Sequence, residues 1–346
     1  MDCLELLDSL CLISGPSGYE AGLASYVGSL MRDAGFQTNI DAVGNLICRK
    51  VGPAGRKLMF VAHCDEVGFV VKHISSEGFI YFAGLGRTDL PVLLGRHVII
   101  SHMGGGNVAG VIGHIPHSLG GDGKVDDISS LWIDIGARSK EAAEKKVSVG
   151  DSITVTPVFS ELGDGLVSCK SMDNRAGMAS LIMACSKIKG IELPFDLYVV
   201  FSAQEEIGLI GATTASYAIS PDICIAIDVT HSTDTPNVDR RKFGDICLNK
   251  GPVIPIGSNL SKSVQDIIRA DADEGRIPYQ IEALPGFSGT DIAQVQVARS
   301  GCLTGLVSIP CRYMHSPAEV VSLNDIRNSS LLLERIMKSN GLFFEK

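Results

Sequence analysis

An α/β protein is the fold class this sequence predicts: a mixed, largely parallel sheet flanked by helices, with a small β-rich domain inserted into it. Three observations lead there. Short unbroken apolar runs alternate with stretches of helical period. Between about residues 70 and 160 the texture changes to short β-prone runs separated by glycine, and the first pattern resumes at about Leu166. Strands alternating with helices imply a sheet covered on both faces, whose buried strands read as continuous apolar runs. A chain of 346 residues is also too long for one ordinary core and suits two domains. The expected limits are 1–69 with 163–346 for the main domain and 70–162 for the insertion.

The elements follow in order. Met1 to Asp8 reads as an acidic amphipathic helix, and Gly15 to Gly18 punctuates the chain after it. Tyr19 to Met31 carries Ala21, Leu23, Val27, Leu30 and Met31 near a helical period. Asn45–Cys48 and Leu58–Ala62 are strand-like. Within the insertion, Phe79–Phe82, His97–Ser101, Gly110–Gly113, Leu131–Ile135 and a run from Ser152 through Val158 are β-prone. Only Lys140–Lys146 looks helical there. Asn174–Ile188 then predicts a helix, with Met178, Leu181, Ile182, Cys185 and Ile188 on one face. Leu197–Ser202 and Ile223–Ile227 predict buried strands, separated by a turn and helix over Gly208–Ala218. Ser261–Glu274 and Asp291–Ser300 predict helices, and Thr304–Ile309 a strand. Asn324–Ser339 closes the chain as a helix whose apolar face holds Ile326, Leu333, Ile336 and Met337. There is no internal repeat. Gly104–Gly106 lacks the Lys and Ser/Thr of a phosphate loop and reads as a turn.

Composition excludes some classes of partner. Acidic residues number 39 and basic residues 30, a formal net charge of -9. Nucleic-acid and anionic-membrane partners favour basic patches, so neither is expected. No apolar run reaches the length of a membrane span. No basic segment precedes an apolar core near the start, so no secretory signal is expected. The ten cysteines are scattered without a Cys-x-x-Cys pair. They read as reduced, buried thiols, which implies a cytoplasmic location.

Five short stretches carry the chemistry: Val61–Gly68, Cys169–Arg175, Ala203–Gly208, Ile225–Val229 and Met314–Glu319. Three of the candidate ligands lie at or just past the end of a short apolar run, and open α/β sheets gather reactive groups beyond the carboxyl ends of their strands. His63 and Asp65 follow a strand two residues apart, so both side chains point the same way if the extended path continues. A carboxylate there can orient an imidazole that binds metal through its other nitrogen. Glu205 and Glu206 directly follow a strand. Adjacent side chains cannot share one direction, so one can bind metal while its neighbour moves protons. Asp228 follows five apolar residues and either reaches the same cleft or begins a turn. Asp173 precedes a strong helix and, taken alone, reads as its N-cap. His315, ahead of the last helix, could equally be an ordinary loop histidine.

Charge balance joins these residues. With His63, Asp173, Glu206, Asp228 and His315 as ligands, three carboxylates face two divalent ions, and a bridging hydroxide brings the centre to neutrality. One carboxylate, with Asp173 the best placed, would bridge ions about 3.5–4 Å apart. Mixed nitrogen and oxygen donors suit Zn²⁺ and also accept Co²⁺ or Mn²⁺.

These stretches, in this order across essentially the whole chain, resemble the M42 family of metallo-aminopeptidases, which includes glutamyl and deblocking aminopeptidases and the tetrahedral TET particles. The resemblance implies two divalent ions per subunit. His63 and Asp228 would hold one, Glu206 and His315 the other, with Asp173 between them. It implies that Glu205 is the general base acting on the bridging water and that Asp65 supports His63. The substrates implied are peptides with a free N-terminus. The β-rich insertion would be a PDZ-like dimerisation domain, and dimers would assemble into a twelve-subunit tetrahedron. Cys64 stands where a methionine is common, at a position that is not a ligand.

His231 and Asp291 are further candidates for the cleft wall, Asp291 equally for the start of a helix. A carboxypeptidase or amide deacylase could use a similar two-metal centre. A glucanase fits less well, because glycosidases normally use two metal-free carboxylates. A non-catalytic assembly scaffold would have no need of Glu205.

Overall fold

The computed structural model describes residues 2–53, 55–121 and 124–339. Its centre is four parallel strands, Asp196–Ser202, Lys57–His63, Ile223–His231 and Leu303–Arg312, adjacent in that order. Leu46–Lys50 and Gln37–Ile40 extend one edge antiparallel. Glu319–Ser322, Leu166–Cys169 and Ser160–Gly163 extend the other, each antiparallel to its neighbour. Val253–Gly257 pairs with Leu303–Arg312 and carries Gln280–Leu284 beside it. The sheet is therefore mixed, with a parallel heart.

Alternation of side chains explains why the central strands read as unbroken apolar runs. Leu58, Phe60 and Ala62 face one core, with the helices Cys3–Leu12, Ala21–Asp33, Met172–Lys187 and Leu323–Lys338. Met59 and Val61 face the other, with Ile210–Ile219 and Ile292–Gln296. Both faces are buried, so the central strands hold few polar residues before their carboxyl ends.

The second unit is a closed antiparallel barrel of Gly68–Ile74, Ile80–Leu85, Trp132–Asp134, Asn107–Gly113, His97–Ser101 and Ser152–Val155. Phe69, Val71, Ile80, Phe82, Val98, Ile100, Ile112, Ile133 and Ile153 fill it. Its strands begin at Gly68 and end at Val155, whereas Ser160–Gly163 pairs in the large sheet.

Two expectations need correction. The strand expected at Ile223–Ile227 continues to His231, because Leu303–Arg312 pairs with it throughout. Asp228 is therefore inside a strand and does not begin a turn. The helix expected over 291–300 is only Ile292–Gln296, because burial on the sheet stops at Val295 and Val297 is exposed. All ten cysteines are free. Among the described residues, no helix is long and apolar enough to cross a membrane.

Candidate metal centre

The strand ends bring the candidate residues together. His63 is the last residue of its strand and lies opposite Ser202. Ala226 pairs with Val61, so the same register carried two residues on sets Asp228 level with His63. Both continue the parity of Met59, Val61, Cys224 and Ala226, and so leave the sheet on the same face. Glu205 and Glu206 come just past Ser202 on the adjacent strand. His315 follows Leu303–Arg312. Leu166–Cys169 runs in that same direction, since two antiparallel pairings separate them, and Asp173 lies beyond its end.

Asp173 lies at a kink inside Met172–Lys187 and does not cap the regular helix that follows. Its φ and ψ of -76° and 103° are non-helical. The capping contact comes instead from Asn174, whose Oδ1 accepts the Gly177 N–H at 3.1 Å. The Asp173 carboxyl group is turned into the cleft, where its two oxygens meet different histidines. Oδ1 lies 3.0 Å from His63 Nε2, and Oδ2 lies 3.2 Å from His315 Nε2. His63 Nε2 is also 3.6 Å from Asp228 Oδ1, and His315 Nε2 is 3.5 Å from Glu206 Oε2. Two triads of ligating atoms result, His63–Asp173–Asp228 and Asp173–Glu206–His315, sharing one carboxylate. Glu205 approaches His63 and Glu206 closely enough to form a third such group.

Buried neighbours fix these positions. Asp65 Oδ1 is 3.5 Å from His63 Nδ1. The same carboxylate accepts the Glu205 N–H at 2.9 Å, the Glu206 N–H at 3.1 Å and the Ser17 hydroxyl at 2.6 Å. Asp65 thus ties the His63 segment to the pair of glutamates. Asn45, fully buried, holds the same loop from below: its Oδ1 accepts the Ala203 N–H at 2.9 Å and its Nδ2 donates to the Gly211 carbonyl at 3.0 Å. Glu66 bonds Lys170 and Ser171, anchoring the approach to Asp173. Gln204, Ser171 and His315 each have φ near +60°. Left-handed backbone at non-glycine residues costs energy and collects at functional sites.

Glu319 was not foreseen. Its buried carboxylate accepts the Asp173 N–H at 3.0 Å and the His315 N–H at 2.6 Å, clasping the two segments that carry these ligands. Both contacts are to main chain, so no pairing of residue types in the sequence points to them.

The donor set fits divalent cations. Burial, reinforced by Asp228, Asp291 and Glu206, pushes Glu205 up to about 10 against the pull of His63. Burial and the Asp173 charge push Glu206 up to about 8. A buried group of carboxylates this dense cannot stay ionised without positive charge among them. The imidazoles supply some: the Asp173 contact leads the causes that raise His315 to about 9. Burial opposes charge on His63, yet Glu205, Asp173, Asp228 and Asp65 together raise it well above the ordinary value. Glu206 Oε1 is buried without a hydrogen-bond partner. Such groups are satisfied by cations placed between the histidine nitrogens and carboxylate oxygens.

The centre lies on the floor of a cleft of about 480 Å³. Arg87, from the barrel side, forms part of its wall, as do Leu209, Thr230, His231, Glu282, Leu284 and Met314. His231 is exposed to this cleft. Asp291 is elsewhere: it is 3 % exposed, bonds the Ser202 hydroxyl beneath the glutamate loop, and does not line the cleft. The helix Ile292–Gln296 starts directly after it, without a side-chain cap bond.

The chain matches known proteins along nearly its whole length. The sequence profile of M42 glutamyl aminopeptidases matches residues 44–332. The lysyl aminopeptidase of Pyrococcus furiosus is 34 % identical over 340 residues, covering 96 % of each chain. The solved aminopeptidase APDkam598 of the archaeon Desulfurococcus kamchatkensis is 35 % identical, with a TM-score of 0.91 over 97 % of this chain and 94 % of that one. The Pyrococcus horikoshii TET1 peptidase, which can assemble into a tetrahedron or a large octahedral shell, is 32 % identical, with a TM-score of 0.88 over 97 % and 99 %. A hydrolase acting on peptide bonds, this chain belongs to the M42 family of aminopeptidases.

Proposed function

We propose that this aminopeptidase works with two divalent ions per subunit, Zn²⁺ or, with the same donors, Co²⁺ or Mn²⁺. His63 and Asp228 would hold one, Glu206 and His315 the other, and Asp173 both. The observation that carries this reading is the Asp173 carboxylate, with one oxygen toward each histidine. When bound, the ions polarise the scissile carbonyl and make water acidic enough to be deprotonated near neutral pH.

The chain's own groups do the rest. Glu205 belongs to neither of the two triads that share Asp173, and its carboxylate borders the same cleft. It takes a proton from the attacking water and passes it to the nitrogen of the departing amine. Asp65 holds the His63 ring from the Nδ1 side, leaving Nε2 toward the centre. An unblocked substrate amine, a nitrogen donor that acylation removes, would be placed beside the centre that Asp173, Glu206 and Asp228 hold.

Residues 1–69 and 163–346 would form the catalytic domain in this reading, and the β-rich insertion at 70–162 a PDZ-like dimerisation domain. Dimers would build a tetrahedral dodecamer, a proposal supported by likeness to a peptidase that can form a tetrahedron.

The test compares a free peptide with its N-acetylated form, before and after chelation. Cleavage of the free peptide should be at least about 10²-fold faster, since the blocked amine forfeits its placement at the centre. Chelation should abolish it, and Zn²⁺, Co²⁺ or Mn²⁺ should restore it. Equal rates on both peptides would instead favour an amide deacylase or a carboxypeptidase. Activity that survives complete metal removal would exclude the two-ion reading.

A further inference from the structure

Glu282 is an acid on the cleft wall that the reaction does not use. It lies on the strand Gln280–Leu284, where Glu282 and Leu284 both line the cleft while Ile281 and Ala283 point outward. The Thr230 hydroxyl reaches both of its carboxylate oxygens at 3.1 Å. One hydroxyl carries one proton, so most of the acceptor capacity stays unfilled. Among the described residues, no cation lies within ion-pair distance of Glu282. Arg87 shares the cleft and also lines an adjoining groove with Asp126 and Asp127, and it makes no ion pair with Glu282.

Position completes the case. Thr230 is two residues beyond Asp228 on one strand, so both side chains leave the same face about 7 Å apart. Glu282 therefore stands one side chain's reach from the centre. Leu209 and Leu284 supply apolar wall in the same cleft. An apolar path ending at a partly desolvated, cation-free carboxylate suits a long aliphatic stem with a positive tip.

We propose that Glu282 selects substrates whose N-terminal residue is lysine or arginine. This rests on the aminopeptidase reading above and names the substrate class for the same cleft. Acidic N-terminal residues are the worst fit, because two carboxylates would meet with nothing between them.

The test uses lysine and norleucine, side chains of similar length that differ in charge. kcat/KM is measured for lysyl and norleucyl p-nitroanilides with the metal-loaded wild type, Glu282→Gln and Glu282→Arg. Calorimetric binding of lysinamide and norleucinamide gives a second readout. The lysyl-to-norleucyl ratio should fall at least tenfold in Glu282→Gln, in both turnover and binding. In Glu282→Arg the preference should shift toward a glutamyl substrate. An unchanged ratio overturns the assignment, including the case in which both substrates weaken equally because Glu282 holds the α-amine. Absence of turnover by the wild type on every unblocked substrate would refute the aminopeptidase reading itself, and this inference with it.

Discussion

Replacing Glu205 by glutamine is expected to lower kcat by about 10²–10⁴-fold, the range a positioned proton-transfer group contributes, while the metal content stays at two ions per subunit. The substitution keeps the size of the side chain and removes only its ability to accept and return a proton. The backbone contact that positions the residue, its N–H to Asp65 Oδ1 at 2.9 Å, is untouched. Neither triad that shares Asp173 needs the Glu205 carboxylate. Turnover and metal analysis must be read together, because Glu205 also approaches His63 and Glu206. Loss of an ion in parallel with loss of turnover would make Glu205 a ligand. Normal turnover would leave it with no role in proton transfer.

Asp173→Ala should have the broadest effect of any ligand substitution, because Asp173 alone belongs to both triads. Affinity for both ions should fall, each by more than the roughly 10–100-fold that loss of a supporting group outside the ligand shell costs. Asp228→Ala should weaken one ion and leave the second, since Asp228 belongs to the His63 triad only. The fold should tolerate the change: the Asp173 N–H that bonds Glu319 and the Asn174 cap of the following helix both remain. Metal titration of the two variants checks this contrast. Equal loss in both, or loss of a single ion in each, would contradict a shared carboxylate.

Much of this architecture was legible because central parallel strands are buried on both faces. Leu58–Ala62, Leu197–Ser202 and Ile223–Ile227 read as strands on that account, and the first ionisable residues beyond them, His63, Glu205, Glu206 and Asp228, stood out. The end of the third strand was less visible. Asp228 looks like a stop, yet the partner strand continues and carries the pairing to His231. Asp173 was ambiguous for a local reason: an acid before a helix is a good N-cap, and only the Asn174 contact shows which residue caps. Edge strands left weaker signals. Gln280–Leu284 mixes polar and apolar residues with little burial, so Glu282 carried no mark of lying in the cleft. Glu319 acts on the backbone of two distant segments, a relation that no spacing of residue types encodes.

The most direct measurement is anomalous diffraction from crystals loaded with Zn²⁺, recorded on both sides of the zinc absorption edge. The account predicts two peaks about 3.5–4 Å apart. One should lie beside His63 and Asp228, the other beside Glu206 and His315, with the Asp173 carboxylate touching both. A single peak, or two peaks with Asp173 bound to only one, would contradict it.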